Sequence, residues 1–144
     1  MRINDLSYFM VVTDGGCLGN GGSNPQCYGS YAVIAVEGCL HEEEIGKHVS
    51  RTPYSHLHTN NEAEYQAVQD ACVYMADLFA RMGKQYPVTI CTDSRLVVEQ
   101  LDGTMKCKTG NLPKMRAATR LLVDSIHATV REANRDYIVE VLGH

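Results

Sequence analysis

The segment Thr59-Asn60-Asn61-Glu62-Ala63-Glu64-Tyr65 opens a run whose apolar positions recur at Val68, Ala71, Cys72, Met75, Leu78, Phe79 and Met82. That spacing paints one buried stripe along an α-helix, and the rest of the chain must cover it. Thr59 and Glu62 have capping-box form, in which each side chain satisfies a free amide of the first turn. Gly83 marks the helix end. Glu64 is the anomaly. It stands four residues before Val68 and so puts a carboxylate on the stripe, at a cost in free energy unless a cation or hydrogen bonds satisfy it. Two other segments, Val11-Val12-Thr13-Asp14-Gly15-Gly16 and Ile90-Cys91-Thr92-Asp93-Ser94, are apolar runs that each stop on an aspartate.

Residues 8–14 read as a strand buried on both faces and ended by Gly15-Gly16. Gly15 to Gln26 is rich in turn residues. Tyr28–Glu37 and Leu40–Val49 read as the next two strands of an antiparallel meander, and Val88–Thr92 as a fourth. Ser94 starts a short helix that Gly103 ends. A further helix begins near Asn111 or Leu112 and fades by Asn134, and Tyr137–Leu142 reads as a fifth strand. The order βββαβααβ places the chain in the α/β class, as one domain over residues 1–144 with a five-stranded mixed sheet and helices on its faces. Asp14 and Asp93 then end strands one and four. If those strands are adjacent and parallel, the two aspartates are neighbours at the edge where open α/β sheets bind ligands. The first turn of the long helix would hang Glu64 over both.

No apolar run approaches the roughly 18 residues of a membrane span, and the N-terminus has no signal-peptide layout, so the expectation is a cytoplasmic protein without a membrane partner. Six cysteines with no C-x-x-C pair among them read as reduced thiols. His56-Leu57-His58, an i, i+2 pair before a helix, reads as a strand end rather than a zinc site. The net charge of -4 argues against indiscriminate nucleic-acid binding. A local basic run does exist: Lys106, Lys108, Lys114, Arg116 and Arg120 have no acidic residue among them. By itself such a run is a solvated face.

Three clustered carboxylates cannot all stay ionised without a counter-charge. Hard divalent cations supply one, because Mg²⁺ prefers oxygen ligands and is often shared between a few carboxylates and a substrate phosphate. Each aspartate alone would read as a turn cap. Together with Glu64 they read as a metal site.

Thr13-Asp14-Gly15-Gly16-Cys17-Leu18-Gly19-Asn20, Thr59-Asn60-Asn61-Glu62-Ala63-Glu64-Tyr65, Thr92-Asp93-Ser94 with Leu96-Val97-Val98, and Leu142-Gly143-His144, in this order, resemble the motifs of the type 1 ribonuclease H family in its short form without a basic protrusion. The resemblance implies hydrolysis of the RNA strand of an RNA–DNA hybrid, leaving a 5′-phosphate and a 3′-hydroxyl, by a monomer holding two Mg²⁺ ions, with Mn²⁺ as a substitute. Asp14 would bridge both ions and Glu64 and Asp93 would complete the second. Backbone groups from Cys17 to Asn20, with Asn20, Asn61 and Glu64, would read the 2′-hydroxyl that tells RNA from DNA. Thr59 and Asn60 fit a phosphate contact to the DNA strand, although capping and turn roles also explain them. Arg95 is either an RNA-phosphate contact or a surface arginine. Lys106 and Lys108 would meet phosphates of the DNA strand. His144 would assist product release or shuttle a proton.

The family's fourth carboxylate lies on a helix beyond the point matched by His144, and neither that acid nor that helix is expected here. Three explanations follow: a fragment, a short enzyme using more water as ligand, or a weakened relative that binds hybrid without cutting it efficiently. Asp136 is expected at the wrong end of strand five, and Glu140 is undecided. Gly21 stands where the family has a proline, and the loop before Tyr28 is longer than the family's.

Overall fold

The structure is a computed structural model and describes residues 6–20, 22–38, 42–108 and 110–143. The expectations placed on Gly21, Cys39, Leu40 and His144 lie outside the described residues. The elements follow as β1 (Leu6–Leu18), β2 (Gln26–Glu37), β3 (Glu43–Tyr54), α1 (Asn60–Met82), β4 (Val88–Thr92), α2 (Arg95–Asp102), α3 (Leu112–Ser125), β5 (Thr129–Glu132) and α4 (Arg135–Leu142). The five strands form one mixed sheet in the order β3-β2-β1-β4-β5. β1, β2 and β3 pair antiparallel, whereas β4 and β5 run parallel to β1.

α1 lays its stripe on one face of the sheet. Val68, Ala71, Cys72, Met75 and Phe79 pack with Phe9, Val11, Val33 and Ile90, and α3 adds Val123. The capping box is formed: the Glu62 amide donates to Thr59 Oγ1 at 3.2 Å, and the Thr59 amide donates to Glu62 Oε1 at 3.0 Å. Gly83, at φ 71°, ends the helix in the left-handed conformation.

Two strand boundaries depart from the sequence reading. β1 does not stop at Gly15-Gly16 but continues to Leu18, paired with β2 throughout. Gly15 serves a close approach rather than a turn, because a Cβ there would stand 2.3 Å from the Ala63 carbonyl carbon and 2.5 Å from the Glu64 amide nitrogen. Gly15→Ala should therefore push the start of α1 off the sheet and cost about 1–3 kcal/mol, the range typical of overpacking. Urea denaturation against the parent measures it, and an unchanged midpoint would contradict the close approach. β3 likewise runs on to Tyr54, past the expected end at Val49.

The larger departure is C-terminal. The fifth strand is Thr129–Glu132, and Tyr137–Leu142, expected as that strand, is helical. The order is thus βββαβααβα, and a C-terminal helix expected to be missing follows β5. The reason is visible in the ends of the segment. Asn134 caps it, its side chain accepting from the Asp136 amide at 2.7 Å, and Gly143 closes it at φ 80°. The i, i+4 pair Ile138 and Leu142 then buries against Val12, Ala32 and Cys91 on the face opposite α1. Caps and a face needing cover outweigh the strand preference of Tyr137, Ile138, Val139 and Val141. Cysteine chemistry is a further correction. Cys17 and Cys27 stand opposite each other in the β1–β2 register and are disulfide-bonded. Cys72, Cys91 and Cys107 are free thiols.

Candidate active site

Thr13 of β1 pairs with Thr92 of β4 in the parallel ladder, so the next residues, Asp14 and Asp93, stand side by side at one sheet edge. The first turn of α1 crosses that edge over Gly15 and brings in Glu64. Glu64 senses the two aspartates, since the charges of Asp93 and Asp14 both raise its proton affinity. Glu64 Oε2 is buried without a hydrogen-bond partner. Its carboxyl is pushed up to about 7, chiefly by burial and then by the two aspartates, while a Ser94 hydrogen bond and Arg135 pull the other way.

A cation is already present. Arg135 Nη1 lies 3.0 Å from Asp14 Oδ1 and 2.7 Å from Asp93 Oδ2, so one guanidinium bridges the pair. The Asp14 side chain is 2% exposed and that of Asp93 18%, against 55% for Arg135. Among the described residues, no group of three or more His, Cys, Asp or Glu side chains is placed to hold a metal ion as it stands.

The other sequence candidates divide into four places. Asn60 ties the start of α1 to the hairpin: its Oδ1 accepts from the Cys17 amide at 2.6 Å, and its amide donates to Asn20 Oδ1 at 2.8 Å. Asn20, Thr59, Asn60 and Asn61 line a groove of about 650 Å³ that continues to Leu96, Gln100 and Asn111. Cys17 instead joins Asp14, Glu64 and Arg135 in an adjoining hollow of about 290 Å³. Arg95 begins α2 and pairs with Glu99 at 2.8 Å, its side chain 76% exposed. Lys106 and Lys108 line a third hollow, with Pro113 and Arg116.

A family model for RNase H matches residues 7–144. The chain belongs to the RNase H family. Solved RNase H proteins share its fold at low identity. The RNase H1 of the halophilic archaeon Halobacterium salinarum NRC-1 is 22% identical, with a TM-score of 0.66 over 92% of this chain and 89% of that one. The N-terminal RNase H domain of rv2228c from Mycobacterium tuberculosis is 22% identical, with a TM-score of 0.65 over 92% of this chain and 91% of that one. LC11-RNase H1, solved in complex with an RNA/DNA hybrid, is 21% identical, with a TM-score of 0.65 over 92% and 89%. No curated protein sequence matches the chain.

Within this RNase H fold, sequence reasoning missed Arg135. β5 ends at Glu132, opposite Thr92 of β4, so the first turn of α4 arrives beside Asp93. The same topology corrects the reading of Asp136, which follows β5 at the acid-bearing edge instead of preceding a strand at the far one. Glu132, also missed, ends β5 at that edge. The usable signal was Asn134, a helix cap placed directly after an alternating Thr-Val-Arg-Glu run.

The raised Glu64 carboxyl carries a pH dependence. Between about 4.5 and about 7 the folded RNase H domain holds a proton that the unfolded chain has released. Metal-free stability should therefore fall as pH rises through that window, by at most about 1.4 kcal/mol per unit. Glu64→Gln should flatten the fall. Thermal melts in chelator across the window check this, and equal slopes in parent and variant would contradict it.

Proposed function

We propose that this chain, acting as one domain and as a monomer, hydrolyses the RNA strand of RNA–DNA hybrids with the help of divalent metal ions. The observation that carries the reading is the convergence of Asp14, Asp93 and Glu64 at one sheet edge, with an orphaned carboxylate oxygen on Glu64 and a cation bridging the aspartates. The donor set is all oxygen, which suits Mg²⁺ with Mn²⁺ as a substitute. Arg135 shows that the two aspartates accept a shared positive charge. Asp14, Glu64 and Asp93 would hold the metal, and two ions so placed supply a water made nucleophilic near neutral pH and charge stabilisation for the leaving oxygen. The expected products carry a 5′-phosphate and a 3′-hydroxyl. Asp136 and Glu132, at the same edge, are the candidates for the remaining carboxylate.

The groove beside the acids supports the substrate assignment. Asn20, Asn61 and the backbone from Cys17 to Asn20, beyond the Cys17 amide that Asn60 already holds, offer donors and acceptors to a 2′-hydroxyl, the group that separates RNA from DNA. Thr59 and Asn60 face the same groove, in reach of the partner strand. Lys106, Lys108 and Lys114 are exposed. Arg116 and Arg120 instead donate to the carbonyls of Gln100 and Leu101. Neutralising the three lysines together should weaken hybrid binding and lower its log–log salt slope by about 3, near one for each phosphate that then keeps its counterions. An unchanged slope would return them to a solvated face.

A second reading is favoured by one observation. Arg135 occupies the place between Asp14 and Asp93 that a metal ion would take, as expected of a module that binds hybrid without cutting it efficiently. Incubation of an end-labelled hybrid with the chain and Mg²⁺ or Mn²⁺ separates the two readings, with single-stranded RNA, RNA duplex and DNA duplex as controls. Cutting confined to the hybrid supports the enzyme. Hybrid binding without cutting supports the module.

A further inference from the structure

The acid site does not end at the acids. In the antiparallel register Asp14 stands opposite Ser30, and Ser30 opposite Arg51. Directly opposed residues share a face of the sheet, so Asp14, Ser30 and Arg51 form one row across β1, β2 and β3. The next row on that face is Gly16, Tyr28 and Pro53. α4 covers this face at Val12 and Ala32; Asp14 and Ser30 of the first row are buried, whereas Arg51 and Pro53 at the β3 end are exposed, and Leu18 is 70% exposed.

Tyr28 and Arg51 are held together. The guanidinium carbon of Arg51 sits 4.4 Å from the centre of the Tyr28 ring. Tyr28 also packs against the backbone of Gly16, where a Cβ would come within 3.0–3.2 Å of its atoms. The ring therefore fixes a flat cation on an open part of the sheet. Among the described residues no carboxylate forms an ion pair with Arg51. The hollow holding Asp14, Glu64 and Arg135 and a second hollow of about 370 Å³, lined by Gln26, Arg51 and Pro53, share Leu18 and Tyr28. Together they make one trough from the acids, over β2, to β3.

We infer that Tyr28 and Arg51 form a subsite for the strand whose phosphodiester enters the acid site, gripping a nucleotide that flanks the reacting one. The inference rests on the hybrid-cleaving reading and deepens it. A guanidinium neutralises a phosphate through two parallel hydrogen bonds, and its plane also stacks an unpaired base, as aromatic and arginine faces do in RNA recognition. The acids repel a polyanion, and Arg51 supplies a compensating charge on the same row. Leu18 gives the trough an apolar wall for a ribose or base edge. The ligand is an RNA strand continuing out of the hybrid rather than the paired DNA strand, because the trough begins at the atoms that would meet the cut phosphate.

The test uses Asp14→Asn as a binding-only parent and fluorescence anisotropy with two probes, a blunt RNA–DNA hybrid and the same hybrid with a short single-stranded RNA extension, each over a range of salt. Arg51→Ala should weaken binding of the extended probe by about three- to tenfold and lower the salt slope by about 1, the value for one phosphate contact. Arg51→Lys should keep the slope and lose part of the affinity, since an ammonium carries the charge without the plane. Arg81→Ala, near the end of α1, serves as a surface control. If the parent binds hybrid and Arg51→Ala binds the extended probe with the same affinity and slope, the subsite is overturned alone. If the parent binds no hybrid, the subsite and the reading beneath it fall together.

Discussion

Asp14→Asn is expected to abolish hybrid cleavage while leaving hybrid affinity within a few-fold of the parent. Asp14 is the more buried of the two aspartates: its side chain is 2% exposed, it is bridged to Asp93 through Arg135, and its charge is felt by Glu64. An amide there keeps the shape and loses the charge that would draw in a divalent ion. Metal-ion stabilisation of a developing charge is worth several kcal/mol, so the loss should be about a thousand-fold or more in rate. Affinity should change little because the groove from Asn20 to Asn111 and the exposed lysines are untouched. Single-turnover cleavage of end-labelled hybrid, with binding measured in parallel, checks both halves. A variant that cuts at more than about a tenth of the parent rate would remove Asp14 from the centre of the chemistry.

Arg135→Ala should have the second largest effect, with opposite signs in two conditions. In metal-free buffer it leaves two adjacent aspartates, one nearly fully buried, without their shared cation. Breaking a buried pair costs about 3–5 kcal/mol, and an exposed one at most about 1. With Arg135 half-exposed and Asp14 buried, a loss of about 1–3 kcal/mol is expected. In Mg²⁺ the same variant should gain, because the ion no longer competes with a tethered guanidinium, and metal affinity should tighten by about tenfold or more, a differential of about 1.4 kcal/mol. Calorimetric titration with Mg²⁺ and thermal melts with and without the ion report the two effects separately. Equal metal affinity in parent and variant would show that Arg135 moves aside at no cost, and would weaken the reading of a binder that fails to cut.

The parts of the molecule legible in the sequence are those fixed by short-range chemistry. The α1 stripe and the Thr59–Glu62 capping box depend on residues within a few positions of one another, and their spacing alone specifies them. The meeting of Asp14 and Asp93 was legible because it needs only that two apolar strands ending in aspartate lie parallel. What was not legible depends on distant partners. Gly15-Gly16 carries the local signature of a turn, yet tertiary contact with Ala63 keeps it in the strand. Once β1 runs on, Cys17 meets Cys27, so that disulfide was hidden by the same boundary error. The C-terminal segment was ambiguous for another reason. Ile138, Val139 and Val141 suit a strand by side-chain shape, and only the caps at Asn134 and Gly143, with a bare patch at Val12 and Ala32, decide for a helix. Arg135 could be found only after that choice, since its reach to Asp14 and Asp93 follows from where β5 stops.

The Asn60 hydrogen bonds bear on how this chain tolerates being altered. Cys17, Asn20 and Asn60 fasten the hairpin end to the start of α1, and the Cys17–Cys27 bond closes the hairpin beneath them. Ser23 and Asn24 belong to the loop that this bond closes and are exposed. Loop tips of this kind accept insertions readily. A short peptide tag placed between them would extend an exposed loop a few residues beyond Asn20 of the groove, and should leave the acids undisturbed.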